Sequence, residues 1–502
     1  MRKFGILFLS LFLFSCVKAQ PYNRVYLLGY YGGLTNARLV FDSTSYQLIP
    51  ETRNMAFMGS QATISDSAGN LLISTNGCWI ADSTGNTMQN GSGLIPGTFS
   101  NDWCTNSSGQ PLATSSVLLP TPGYANQYYL IHLTGDYNSP PSAFPLNCYF
   151  STIDLNLNGG LGAVVQKNVS FIQDTLCPVI AVCKHANGRD WWITLMKDYS
   201  DIALVFLLDP NGINLISTQH LGYSHHETYN GQPVFSPDGS KFAYHFWTYT
   251  SSQTIDHKIR VLDFDRCSGL FSNPDSVTFA DSTFGFGLSF SASSKYLYWS
   301  TFKKIYQLNT DTTDMAASQQ LVAVNDGYYS PQPPYWTDFW LMYLAANGKI
   351  YISSGNGVVD MHYIDYPDSA GLSCGVQQHA LHLPCYSGRG HVNHPNYYLG
   401  PVVGSVCDSL GVGMAELDQV RNFKLHPNPV KSGGVLTLYY ELPHNESGEL
   451  EIRDALGRMV YSYPLPSWSN MQQLKLPTLM PGLYLFTIIS EQSRMSLKVV
   501  VK

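Results

Sequence analysis

Imidazole and carboxylate side chains come first, because together they hold divalent metals and move protons. His225, His226 and Glu227 are consecutive, with His220 upstream, and His391 and His394 flank Val392-Asn393 far down the chain. Brought to one mouth of a closed fold, these groups would bind a metal through nitrogen and oxygen; kept apart, they are loop histidines bonded to backbone. Asp209 with Asn211, and Asp311 with Asp314, carry the oxygen chemistry of calcium but lack the regular acidic spacing of a calcium loop. Calcium or another divalent metal is thus the cofactor class the residues allow. No HExxH pattern occurs. Active sites assembled from distant loops need no motif, so a hydrolase or lyase stays open beside a non-enzymatic binding protein.

Aromatic side chains offer a second chemistry. Trp79, Trp103, Trp247, Tyr328, Tyr329, Tyr335 and Trp336 stand among Pro, Asn and Asp. Exposed, such rings stack on sugar faces or on a protein partner; buried, they fill the gaps between layers. Cysteine adds a third. Of the 10 cysteines, Cys16 follows the amino-terminal apolar run and is removed with it, and the odd remainder leaves at least one thiol unpaired. Short separations make Cys177 with Cys183 and Cys374 with Cys385 the expected disulfides, and the absence of any CxxC pair argues against structural zinc.

These groups need a frame, and the compartment of that frame is set at the amino terminus. Arg2 and Lys3 precede an apolar run from Phe4 to Phe14, followed by small residues up to Ala19 and Gln20. That order is a signal peptide, residues 1–19, with cleavage after Ala19; the run is far shorter than the ~20 residues that span a membrane. Leu13-Phe14-Ser15-Cys16 supports a competing lipid-modified reading. Cleavage leaves 25 basic and 35 acidic side chains and no basic run, which excludes nucleic acid as a partner. No later segment is apolar for long enough to be a transmembrane span.

The frame itself is all-β. With 13% charged and 13% aromatic residues and abundant Gly, Pro and Asn, the chain reads as short strands joined by turns. A turn followed by an aromatic or β-branched strand recurs six times, with turn residues at Gly69, Gly123, Gly188, Gly239, Ser294 and Gly348. A period near 50 with several strands per unit predicts a β-propeller over residues 20–401. The segment His391 to Leu399 is too short for a blade, and Val25 to Tyr31 and Ala37 to Phe41 are strand-like. A blade shared by the two ends makes seven blades; six is the alternative.

The turn Phe235-Ser236-Pro237-Asp238-Gly239-Ser240-Lys241 resembles the repeats of TolB-like and WD-like propellers, although the WD dipeptide is missing from the blade ends. Asp66 and Asp238 lack the tryptophan of the sialidase Asp-box. Asp263 to Leu270 is similar to a segment of propellers exported by gliding and marine Bacteroidetes. After a linker at 402–422, residues 423–502 read as a small immunoglobulin-like β-sandwich: Leu436, Leu438, Tyr440 and Leu442 share one face, Leu450 and Ile452 a second, and Leu483, Leu485 and Ile489 a third.

That last unit resembles, along its whole length, the type A sorting domains of type IX secretion cargo. The likeness is carried by Pro427-Asn428-Pro429, by the hairpin with Asp454, Gly457 and Arg458, by Pro481, Gly482 and Tyr484, and by the terminal strand with Lys498. The resemblance implies Sec export, handling by the outer-membrane translocon, and release or surface attachment. The expected protein is a secreted or cell-surface binding or adhesion module with a glycan or protein ligand at the propeller face; the alternative is a secreted hydrolase or lyase acting on a polysaccharide or peptide.

Overall fold

The computed structural model describes residues 22–502 apart from 31–35, 67, 105–108, 140–141, 223–230, 252–253, 332–333, 409–422, 441, 443–446, 456, 467–470 and 491–493. The signal peptide, Cys16, the His225-His226-Glu227 cluster and most of the 402–422 linker lie outside the described residues. The chain divides into two compact units, Met1–Ser409 and Leu410–Lys502.

In the first unit, seven sheets of three or four antiparallel strands follow one another in chain order among the described residues, with one small extra hairpin at Asp136–Ser139 and Ser142–Phe144. They open at Val25–Leu28, Ala62–Ser65, Ser116–Pro120, Ala181–Lys184, Val234–Phe235, Leu288–Phe290 and Met342–Leu344. The six repeated turns all fall in one place. Each joins the first strand of the second to seventh sheets to the next strand, at Leu71–Thr75, Gln127–Leu133, Trp191–Met196, Lys241–Ser251, Tyr296–Ser300 and Ile350–Ile352.

A common backbone need explains the glycines. The turn residue is left-handed every time, from φ 67° at Ser294 to φ 86° at Gly69, a region that costs a residue with a Cβ about 1 kcal/mol or more. Ser294 is tolerated there while its hydroxyl accepts the Asp238 N–H at 3.1 Å, tying the sixth sheet's turn to the fifth's.

Packing between sheets supplies the core. Trp191–Met196 is buried at every position, as a strand covered on both faces must be. Leu27 packs with Leu71 between the first and second sheets, Ile73 with Leu130 and Ile193 across the second to fourth, and Ala203 with Tyr244 between the fourth and fifth. Ile259 meets Leu297, Tyr298 meets Ile350, and Tyr351 of the seventh sheet meets Phe41 of the first. Each sheet thus buries apolar area worth roughly 1.5–3 kcal/mol per large side chain against its neighbours, and the last covers the first.

The two ends do not share a sheet. Val25–Leu28, Asn36–Phe41 and Tyr46–Glu51 form the first sheet alone, and residues 391–399 contain no strand. The two sheets meet by packing, Phe41 on Tyr351, with one backbone hydrogen bond from the Tyr30 N–H to the Tyr386 carbonyl. The sequence pattern showed strand-like residues on one side only, and they suffice for a sheet of three.

Neither expected disulfide forms. Cys177, Cys183, Cys374 and Cys385 are buried free thiols, as is Cys148. Cys177 bonds to the Trp191–Met196 strand at Met196, whereas Cys183 pairs with Trp192. Four strand residues separate those levels, about 13 Å, beyond the ~7 Å between Cα atoms that a disulfide spans. Cys374 packs between the sixth and seventh sheets and Cys385 between the seventh and first, on opposite faces of one sheet. The bonds join Cys78 to Cys104 and Cys267 to Cys407 instead. The second, with the Val402 N–H donating to the Ala186 carbonyl, holds residues 402–408, read from sequence as linker, against the body.

The second unit has two antiparallel sheets. One holds Lys424–His426, Val435–Tyr439 and Met471–Lys475; the other holds Met459–Leu465, Gly448–Arg453, Gly482–Ile489 and Arg494–Val501. Leu436, Leu438 and Tyr440 face Leu450, Ile452, Phe486 and Ile488 in one core. The expected row Leu483, Leu485 and Ile489 is out of phase: Tyr484, Phe486 and Ile488 are buried, and Leu483 and Leu485 are exposed. Both parities of this strand are apolar, so alternation alone could not choose the face; pairing with Gly448–Arg453 does.

Candidate functional site

After the seventh sheet the chain runs as a strap across the first strands of the other sheets. Asn393 takes its N–H to the Gln61 carbonyl and its side-chain amide to the Ile180 carbonyl at 3.1 Å. The Asn396 amide donates to Pro237 O at 2.6 Å, and the Tyr397 hydroxyl to Leu118 O at 2.8 Å. Arg266 Nη2 then donates to Gly400 O at 2.6 Å. Carbonyls of the second to fifth sheets are thereby satisfied by one segment whose own strand pattern is nil.

His394 is the centre of this strap. Its Nε2–H donates to the Thr63 carbonyl at 3.0 Å, which leaves Nδ1 as acceptor for the Tyr343 hydroxyl at 2.9 Å. Burial pushes its pKa down to about 3. With both nitrogens engaged, His394 fastens the second sheet to the seventh and has no lone pair for a metal. His391 is buried, its pKa pushed down to about 4, with Nδ1–H donating to the Val392 carbonyl at 2.6 Å. Its Nε2 is enclosed without a hydrogen-bond partner. The two residues are therefore neutral packing groups, and no set of three His, Cys, Asp or Glu suited to a metal occurs among the described residues.

Beside the strap lies a cavity of about 500 Å³, walled by Ile180 to Lys184, Gln232 to Pro237 and Met342 to Ala346. Gln232 clamps the far wall, donating from Nε2 to Met342 O at 2.9 Å and accepting the Met342 N–H at 3.2 Å. Lys184, which the sequence did not mark, has its pKa pushed down to about 8 by burial. Its ammonium is spent over the Trp191 ring, 3.9 Å from the centroid, and on Arg189 O at 3.1 Å.

Of the aromatic candidates, Trp247 is buried in the core, whereas Tyr329 and Tyr335 are exposed and Trp79 is half-buried. The acidic candidates are turn residues. Asp209 accepts the Asn211 N–H at 2.7 Å and Asp314 the Ala317 N–H at 2.9 Å, each closing its own loop.

In the second unit the motif residues from opposite ends of the segment meet. Asn428, between Pro427 and Pro429, donates its amide to Lys498 O and accepts the Val500 N–H, both at 2.9 Å. Its side chain thus continues the ladder on the outer edge of the terminal strand, and Val430 carries it on to Val500 and Lys502. Asp454 accepts the Arg458 N–H at 3.0 Å and pairs with its guanidinium at 2.8 Å, around Gly457 at φ 80°. The Tyr484 hydroxyl donates to Met480 O at 2.8 Å, pinning the turn through Pro481 and Gly482. Residues 424–502 match the secretion system C-terminal sorting domain. This sorting domain marks the chain for type IX export to the cell surface or the medium. No helix among the described residues is long and apolar enough to cross a membrane.

Solved structures similar to the chain include the extracellular domain assigned to a hybrid two component system of B. thetaiotaomicron. It is 11% identical, with 97% of this chain and 57% of that chain covered, at TM-score 0.37. AztD from Citrobacter koseri is 10% identical over 74% of this chain and 97% of its own, at TM-score 0.35. A functionally unknown protein from Desulfotomaculum acetoxidans is 11% identical over 73% and 99%, at TM-score 0.35. Likenesses at this level assign neither fold nor activity. No curated protein matches the chain.

Proposed function

We propose that the protein is a type IX secretion cargo whose body is a closed seven-bladed β-propeller serving as an extracellular binding module, with an immunoglobulin-like sandwich as its sorting domain. The match of residues 424–502 to a sorting domain carries the export half of this reading. The propeller is supported by the unbroken succession of sheets, by the six equivalent left-handed turns and by the packing of Phe41 on Tyr351. Binding is supported by exposed loop tyrosines on an otherwise fastened frame, in which the strap histidines are consumed by structure. A rigid ring presenting loops is suited to recognition because little conformational entropy is lost on contact.

Deleting Phe423 to Lys502 should leave a folded body in the periplasm, read by fractionation and immunoblot. Unchanged amounts of the truncated chain in the medium or on the surface would remove the sorting role. Separately, residues 20–408 should be retained by a glycan array or a surface-protein pull-down.

A further inference from the structure

A second cavity, of about 560 Å³, lies at the second sheet, away from the strap. We infer that it is a binding site for a neutral carbohydrate, with Trp79 as the platform and Asn54, Asn86 and Asn101 as the hydrogen-bonding groups. This rests on the binding reading above and names its site and ligand class.

The chemistry of the lining decides the class. Among the described residues the wall holds one large ring, Trp79, three side-chain amides and the hydroxyls of Thr87, Ser92 and Ser100, and no Asp, Glu, Lys, Arg or His. An ionic ligand would lose hydration there, and the ammonium beside the wall, Lys167 Nζ, is already engaged by Asn90 O, Asn90 Oδ1 and Ser92 O. A sugar presents C–H faces that stack on indole, and hydroxyls that both donate and accept. Side-chain amides, with two donors and an acceptor of two lone pairs, match that dual demand. Asn54 and Asn101 are exposed, and among the described residues their amides have no side-chain partner, so the groups are free for a ligand.

The cleft is built to hold its shape. Cys78–Cys104 ties the residue before Trp79 to the end of the short helix Thr98–Trp103, on which Ser100 and Asn101 sit. The Trp79 carbonyl accepts the Thr75 hydroxyl at 2.7 Å, and its ring packs on the cluster around Met55 and Phe57. The opposite wall is braced from the third sheet: Lys167 Nζ donates to Ser92 O at 2.8 Å and the Asn168 amide to Gly93 O at 2.9 Å. Preorganised platforms of this kind bind with less ordering cost.

The test titrates the mature full chain with cellohexaose, maltohexaose, mannohexaose and xylohexaose by calorimetry, with a galacturonate oligomer as the charged comparator. At least one neutral hexaose should bind, ten times or more tighter than the galacturonate, with a change in tryptophan emission. The paired Asn54→Ala and Asn101→Ala variant, altered only at exposed positions, should lose tenfold or more in affinity at unchanged melting temperature. Trp79→Phe should keep part of the affinity and lose the emission change. The assignment is overturned if none of the four hexaoses binds, if the galacturonate binds best, or if the paired amide variant binds the hexaose as the parent does. A glycan or protein captured with equal affinity by parent and paired variant overturns the cleft while leaving the binding reading intact.

Discussion

Acidification from pH 7 to about 5 should unfold the body of this protein, with melting temperature falling steeply below pH 6.5. Six histidines carry the effect: His132, His245, His257, His362 and His391, which are buried, and His394, which is half-buried. Burial holds each imidazole far below its ordinary value, to about 3 at His132 and His394 and about 4 at His257, His362 and His391. His245 is lowered too, first by burial and then by His257, whose Nδ1 lies 3.0 Å from its Nε2. The sign follows from linkage. Unfolded histidines take protons near pH 6.5, while the folded ones stay neutral until pH 4 to 3. Between those values the unfolded state binds more protons, so stability is complete above 6.5 and is lost as pH falls toward the folded values.

Each histidine then removes about 1 kcal/mol by pH 5.5, and six together rival the ~5–15 kcal/mol by which domains are stable. Asp198, its carboxyl raised to about 6 by burial, and Asp338, also raised by burial, work the other way, but they are two groups against six. Thermal melts between pH 7.5 and 4.5 read the slope; a melting temperature unchanged from pH 7 to 5 would show that these imidazoles are hydrated in the folded state.

The second large effect belongs to the Cys267–Cys407 disulfide. It encloses 140 residues, against 26 for Cys78–Cys104. Chain entropy assigns the longer closure about 5 kcal/mol and the shorter about 3.5 kcal/mol. The longer bond also holds the exit of the strap beside Arg266, which donates to Gly400 O. The paired Cys267→Ser and Cys407→Ser variant should therefore lose more stability in urea than the paired Cys78→Ser and Cys104→Ser variant. Thiol titration of the unfolded, unreduced mature chain should count Cys148, Cys177, Cys183, Cys374 and Cys385 as free. A smaller loss at Cys267–Cys407, or a count of one thiol, would contradict the pairing.

His391 and His394 lie in the strap and the long disulfide fastens its exit, a segment whose role no local pattern announces. His391 and His394 are spaced like ligands in the chain, yet His394 spends its nitrogens on Thr63 and Tyr343, both distant in sequence. Cys177 and Cys183 are close along the chain but belong to different levels of one strand pair. In the sorting domain the same contrast recurs: the Pro427-Asn428-Pro429 motif is legible as letters, but that Asn428 extends the edge of the terminal strand is visible only when both ends of the domain are in place.

What the sequence alone determined is whatever depends on neighbours within a few residues. Left-handed turns demanded Gly69, Gly188 or Gly348 because a Cβ is costly there, and the recurrence of those turns revealed the repeat and the all-β class. The export motifs were legible for the same reason, as ordered local patterns. Tertiary structure decided the path of the strap, the disulfide partners, the buried face of the Gly482–Ile489 strand and the neutral state of the histidines. Those depend on which distant groups meet and on how much water their meeting excludes, and neither quantity is written in any short stretch of chain.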